Sequence, residues 1–231
     1  MQVSKPMVIR NLKRAWEDVT SDDIDMGERA YPVYHDTLRG LALAYQSPFV
    51  QTVEAFVAMS PNNDYHGNLR SLASLLHARL IGEPFSNCTI TTYRACGERA
   101  WSYLTGEVSF SDTVKGKKIT AFRHNILYPK ASRAVTVDGH MIALGLGKNL
   151  TMSEANLMLR HRGLYSFVEG AVLGLSRSAG LPVPAVQASL WTMRKRRGGI
   201  RFSTQLSLFD EGTAWDRVLT PQDIHPFPPR K

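Results

Sequence analysis

The side chains in this sequence with the most chemical potential sit at helix starts and in turns. Asp138 follows a β-branched stretch, Ala134-Val135-Thr136-Val137, and precedes Gly139-His140, where a helix is expected to begin. A carboxylate there caps the helix, or acts as an acid that steadies developing positive charge and orients a water. Lys115, Lys117 and Lys118 surround Gly116 ahead of another expected helix. The first N–H groups of a helix are unpaired and suit a phosphate, glycine admits close backbone approach, and lysines add counterion release from a polyanion. Arg194, Lys195, Arg196 and Arg197 form a second basic run; it either touches a polyanion or is a solvated helix end that suits the dipole. Asn62 and Asn63 lie in the break Ser60-Pro61-Asn62-Asn63-Asp64, as turn residues or as contacts.

These groups need a scaffold, and the composition supplies one. The chain has 231 residues, 43% hydrophobic, enough for one large domain or two small lobes around a real core. A net charge of +8 points to a polyanionic partner. Cys88 and Cys96 cannot supply a four-thiolate metal or iron–sulfur site, and two cysteines suggest a reducing compartment. No metal and no cofactor is therefore expected. The N-terminus has neither the apolar core nor the cleavage site of a secretory signal, and no apolar run is long enough to span a membrane. The expected setting is the cytoplasm or nucleus, or the host cytoplasm for a viral protein.

Apolar periodicity predicts helices over 5–19, 27–46, 48–59, 65–80, 88–104, 117–127, 139–146 and 184–197, with one or two over 152–177 broken near Gly163. Asp64 is placed to cap the helix after the 60–64 break, Thr20 to Asp23 to end or cap at the first break, and Pro184 to open the last helix. Only Val135–Val137 and 200–208 have strand character, so the fold class is all-α. Residues 199–231 read as a tail that packs partly through Phe202, Leu206, Leu208, Phe209 and Trp215.

Taken in order, Met59–Asn68, Val114–Asn125 and Ala134–Leu146 resemble the helix-hairpin-helix DNA glycosylases of the endonuclease III type. The first segment keeps an Asp, Asp64, with an Asn four residues on, Asn68. The second is similar to the back half of the hairpin. Gly116 is its second glycine, Val114 replaces the first, and Lys118 stands where lyase members carry lysine, seven residues before Asn125. The third is similar to the V-D-x-H element, with Asp138 and His140 leading into a helix that ends Leu-Gly-Leu. The resemblance covers about residues 55–150 and marks a divergent branch.

The resemblance implies a two-lobed helical fold, residues 1–198, with a helix-hairpin-helix and a central cleft. A hairpin-bearing lobe would span about 48–128, and a second lobe 1–47 plus 129–198. It implies a monomer that binds double-stranded DNA, flips a damaged or modified base and cleaves at its nucleotide through Asp138. Lys118 is a less certain second catalytic residue, with phosphate contact as the rival reading. Lys115, Gly116, Lys117 and Lys118 would hold phosphates, Asn62 and Asn63 would fill the gap left by the flipped base, and Arg194 to Arg197 would add DNA contacts. Tyr65, Phe122 and His140 are pocket candidates. An alternative on the same scaffold is a transferase that adds an amino acid or amine to an activated hydroxymethyl-pyrimidine in DNA. Further alternatives are a helical protein that only binds DNA, and a helical interaction protein with no DNA role. Fold analogy sets only a prior between these functions.

Overall fold

The computed structural model of the chain describes residues 3–61, 63–161 and 163–198, and every regular element among them is helical. In chain order these are α1 (Lys5–Glu17), α2 (Ser21–Ala44), α3 (Phe49–Ala58), α4 (Tyr65–Ile81), a 3-10 turn at Phe85–Asn87, α5 (Arg94–Thr105), α6 (Phe110–Thr113), α7 (Lys117–Leu127), α8 (Gly139–Leu146), α9 (Met152–Leu159), α10 (Leu164–Ala179) and α11 (Val183–Arg196). The all-α expectation holds. No helix among the described residues is long and apolar enough to cross a membrane. The expected tail with Phe202, Leu206, Leu208, Phe209 and Trp215, and the strand expected at 200–208, lie outside the described residues.

The chain forms two compact units, one of residues 3–32 and 128–198, the other Val33–Leu127. The division falls inside α2 at Pro32, whose ring removes an N–H and disturbs the preceding turn. It comes earlier than a boundary near 48 because Tyr34 stacks in the second unit, 4.9 Å from Tyr65, 5.7 Å from Phe56 and 5.8 Å from Phe122 between ring centroids.

In the first unit α1 buries Val8, Leu12 and Ala15, the stripe that its sequence spacing predicts, against α8 and α10. α2 begins at Ser21 and not near 27, because Thr20 and Asp23 cap reciprocally. The Asp23 carboxylate accepts from the Thr20 N–H at 2.9 Å, and the Thr20 hydroxyl accepts from the Asp23 N–H at 3.3 Å. α8 is buried on every side, which suits a helix apolar all round. α10 is separated from α9 at Gly163, whose φ of 84° places it in the left-handed region. At Gly27, α2 lies so close to α11 that a Cβ would meet the Ser189 hydroxyl at 2.2 Å and the Ala185 carbonyl at 2.7 Å.

In the second unit α3 runs through the core, buried from Thr52 to Ala58, against α4, α5 and α7. Asp64 caps α4 by accepting the Gly67 N–H at 2.6 Å. α5 starts at Arg94 and not at 88. The Thr89 and Thr91 N–H groups donate instead to the hydroxyls of Ser74 and Ser71 on α4, at 2.9 and 3.0 Å, which holds that stretch outside a helix. The connection between α5 and α7 contains the single turn α6.

Candidate functional site

The stretch before Asp138 is extended but forms no strand. A side chain replaces the missing neighbour: the Thr136 N–H donates to Gln187 Oε1 at 2.7 Å, and Gln187 Nε2 donates to the Thr136 carbonyl at 3.0 Å. Val135 and Val137 are fully buried on either side. The Tyr31 hydroxyl donates to Thr136 Oγ1 at 3.4 Å, and the Tyr165 hydroxyl to the Val135 carbonyl at 2.9 Å. Backbone groups so deep in apolar surroundings require such partners.

This frame delivers Asp138 to the start of α8 with 2% of its surface exposed. Its Oδ1 accepts the Met141 N–H at 3.0 Å, the expected cap, and also the Trp191 Nε1–H at 3.3 Å. Among the described residues no hydrogen bond reaches its Oδ2. One oxygen is thus fixed by a helix end and an indole.

Gln187, Trp191 and Arg194 follow one another at helical spacing along one face of α11. Arg194 is 7% exposed; its Nη2 is 3.5 Å from Asn149 Oδ1, and its Nε has no hydrogen-bond partner among the described residues. Burial lowers the pKa of its guanidinium, and the negative charge of Asp138 works against that. Burial pushes the Tyr165 hydroxyl up to about 12; the Val137 backbone works against that shift, and Glu169 and Asp138 add to it. His140 is buried in the first turn of α8.

The basic run at the end of α11 therefore does not act as one surface. Arg194 is buried, whereas the Arg196 guanidinium bonds Asp23 at 2.8 Å and Arg197 pairs with Asp18. Lys195 is half-buried. A solvated helix end describes only Arg196 and Arg197.

In the second unit the turn between α6 and α7 gathers Lys115, Gly116, Lys117 and Lys118. Lys115, Gly116 and Lys117 are exposed, and Lys118 is half-buried. The Lys115 ammonium donates to the Ser111 carbonyl at 3.1 Å, and Thr113 and Tyr103 share a hydroxyl contact at 2.6 Å. Arg123 of α7 bonds Glu54 of α3 at 2.7 Å and lies 5.1 Å over the Phe110 ring of α6. The turn is thus clamped at both ends. Gly116 has no left-handed φ, and nothing lies within 4 Å of where its Cβ would be. Neither strain nor packing explains the glycine.

Other sequence candidates have partners inside the second unit. Tyr65 and Phe122 are buried in the aromatic cluster around Tyr34. The Tyr65 hydroxyl, pushed up to about 12 by burial against a Thr37 hydrogen bond that lowers it, lies 3.4 Å from the Thr37 hydroxyl. Asn63 is 3% exposed; its Oδ1 accepts from the Thr91 hydroxyl at 2.7 Å, and its Nδ2 donates to the Met59 carbonyl at 3.4 Å. It ties the loop down and does not project from it. Asn62 lies outside the described residues.

Sequence reading missed Gln187, Trp191, Tyr165 and Asn149. The one available signal was the spacing of Gln187, Trp191 and Arg194 on a helix otherwise judged by its basic end. Among the described residues no group of three His, Cys, Asp or Glu side chains could hold a metal ion. Cys88 and Cys96 are free thiols, half-buried. Residues 1–198 match DUF7178, described as a family of unknown function. No curated protein and no solved structure matches the chain.

Proposed function

The chain belongs to DUF7178, and for this family member we propose a DNA glycosylase-like activity: it flips a modified or damaged base and acts at its nucleotide through Asp138. The single observation that supports this reading is the asymmetry of the Asp138 carboxylate. Oδ1 is held by the Met141 and Trp191 N–H groups, and among the described residues no hydrogen bond reaches Oδ2. A buried carboxylate that caps a helix can also satisfy an indole N–H. One needed for catalysis gains from it, because the charge is fixed in place before reaction and costs no reorganisation.

Oδ2 then stabilises the positive charge that develops at the anomeric carbon as the glycosidic bond lengthens, and orients the attacking water. The lysines at 115, 117 and 118 bind backbone phosphates, and Gly116 gives a phosphate access to the first N–H groups of α7. The clamp from Arg123 to Glu54 and Phe110 supports this role, since a phosphate-binding turn works best when its shape is set beforehand. The chain acts as a monomer on double-stranded DNA.

The test uses wild type and Asp138→Asn with duplexes carrying a panel of damaged and hypermodified bases, read by mass spectrometry of nucleosides and free bases. Free base released by wild type and lost in the variant is the expected result. A mass gain on the base would replace this reading with the transferase. Binding without reaction would reduce it to a DNA-binding protein. No binding even at low salt would remove DNA altogether.

A further inference from the structure

We propose that Gln205-Leu206-Ser207-Leu208-Phe209 is a docking peptide for a second protein, the ring-shaped sliding clamp that encircles bacterial DNA. The proposal goes beyond the reading of Asp138 and rests on the DNA role given above only for the choice of partner.

The helices of the first unit end before this peptide begins. Past α11 the chain turns at Gly198, whose φ of 70° lies in the left-handed region that closes helices. The last turn is tied back to the start of α2. Arg196 bonds Asp23 at 2.8 Å and the Asp18 carbonyl at 2.9 Å, and Arg197 pairs with Asp18. The family match stops at the same residue, 198. The chain therefore leaves the first unit at a fixed corner.

Five residues without charge, three of them large and apolar, stand between Arg201 and the acidic pair Asp210-Glu211. So short an apolar island is too small to form a core and suits a peptide that fills a groove on another protein. In an extended chain Leu206 and Leu208 point to one side, and Gln205, Ser207 and Phe209 to the other. The receiving groove must then be apolar on both walls, with polar groups at the end where Gln205 arrives. The Gln205 amide both donates and accepts there, while the carboxylates of Asp210 and Glu211 stay in water. The order Gln-Leu-Ser-Leu-Phe resembles the peptides by which bacterial DNA polymerases and repair proteins hold the sliding clamp. A clamp also answers a need of the proposed activity. Scattered bases must be found along a long polymer, and a tether to a protein already on DNA replaces a search in solution by one at high local concentration. Residues 199–204 reach at most about 20 Å, so the unit that carries Asp138 is held close to the duplex that the ring encircles.

The experiment measures binding of the full chain to a purified bacterial sliding clamp by titration calorimetry, with no DNA present. It compares wild type, Gln205→Ala and the double variant Leu208→Ala with Phe209→Ala, each with a melting curve. A synthetic peptide of residues 201–212 and its scrambled form serve as competitors. Wild type should bind. The double variant should bind at least about thirtyfold more weakly, the loss expected when an aromatic anchor leaves its pocket, with an unchanged melting temperature. Gln205→Ala should weaken binding by less. The 201–212 peptide should displace wild type, and the scrambled form should not. Absence of wild-type binding overturns the proposal, as does equal binding by the double variant. A lower melting temperature of the double variant, together with a peptide that fails to displace wild type, would assign these residues to the protein's own core and overturn it as well. Because no DNA is present, failure here leaves the reading of Asp138 standing, and failure of base release leaves the docking standing.

Discussion

The Trp191 indole N–H donates to the Asp138 carboxylate at 3.3 Å across 53 positions of sequence, joining the last turns of α11 to the N-cap of α8. The same oxygen caps α8. A single rotamer of Asp138 therefore serves the helix, the core and the proposed chemistry. The two ways of removing its charge should separate these uses. Asp138→Ala loses the cap and strands the indole N–H, a cost of about 1–3 kcal/mol. Asp138→Asn keeps an oxygen at Oδ1 and should cost less than about 1 kcal/mol while abolishing base release. Urea denaturation of both variants checks this. An Asn variant as unstable as the Ala variant would mean that the carboxylate is needed for folding.

Glycine is required at one described position and not at another. Gly27→Ala would force a methyl into the Ser189 hydroxyl and the Ala185 carbonyl of α11. Overpacking of this kind costs about 1–3 kcal/mol or more. Gly116→Ala meets nothing and imposes no strained φ, so its melting temperature should stay close to wild type or rise slightly. If Gly116 serves phosphate approach, the same variant should bind duplex DNA more weakly. Unchanged binding would leave that glycine without a role.

Acid should weaken the first unit through Asp23. Burial alone would raise this carboxyl, but the Arg196 guanidinium and the Thr20 N–H and hydroxyl outweigh it and hold it below the usual carboxylate range. A carboxyl lowered by folding contributes its stability above its unfolded pKa and loses it as the pH falls through about 4 and below. The melting temperature of wild type should therefore drop more steeply below pH 4 than that of Asp23→Asn. Parallel curves would show that the pair contributes nothing.

The clamp under the lysine turn involves a pair of mostly buried charges, Glu54 and Arg123. Glu54→Leu leaves the guanidinium without its carboxylate and should cost about 2 kcal/mol, between surface and buried pair values. The double variant Glu54→Leu with Arg123→Met removes both charges and should recover part of that loss. Calorimetry on the set decides it; a double variant less stable than either single one would contradict the account.

Each exposed lysine at the turn should report on DNA through salt. Replacement of Lys115 or Lys117 by alanine should lower the slope of log affinity against log salt by about 1, with equal weakening across sequences. A slope that stays at its wild-type value would place DNA contact elsewhere.

Much of the helical scaffold was legible in the sequence because its causes are local. The stripe Val8, Leu12 and Ala15, the caps at Asp64 and Asp138, and the break at Gly163 all depend on neighbours within a turn or two. Periodicity and cap chemistry act over that range. The start of α5 was not legible, because two hydroxyls on α4 compete for the N–H groups of Thr89 and Thr91. Nor was the fate of Tyr65, Phe122 and Asn63: an aromatic beside a turn reads alike whether it lines a pocket or fills a core. The sequence by itself determined that the chain is helical and that Asp138 begins a helix. Only the tertiary structure decided that Gln187, Trp191 and Arg194 meet the Asp138 segment, that Arg194 is buried, and that Asn63 holds its own loop. Those outcomes depend on which helix face is turned inward, and that is set by the packing of distant segments and not by the residues alongside.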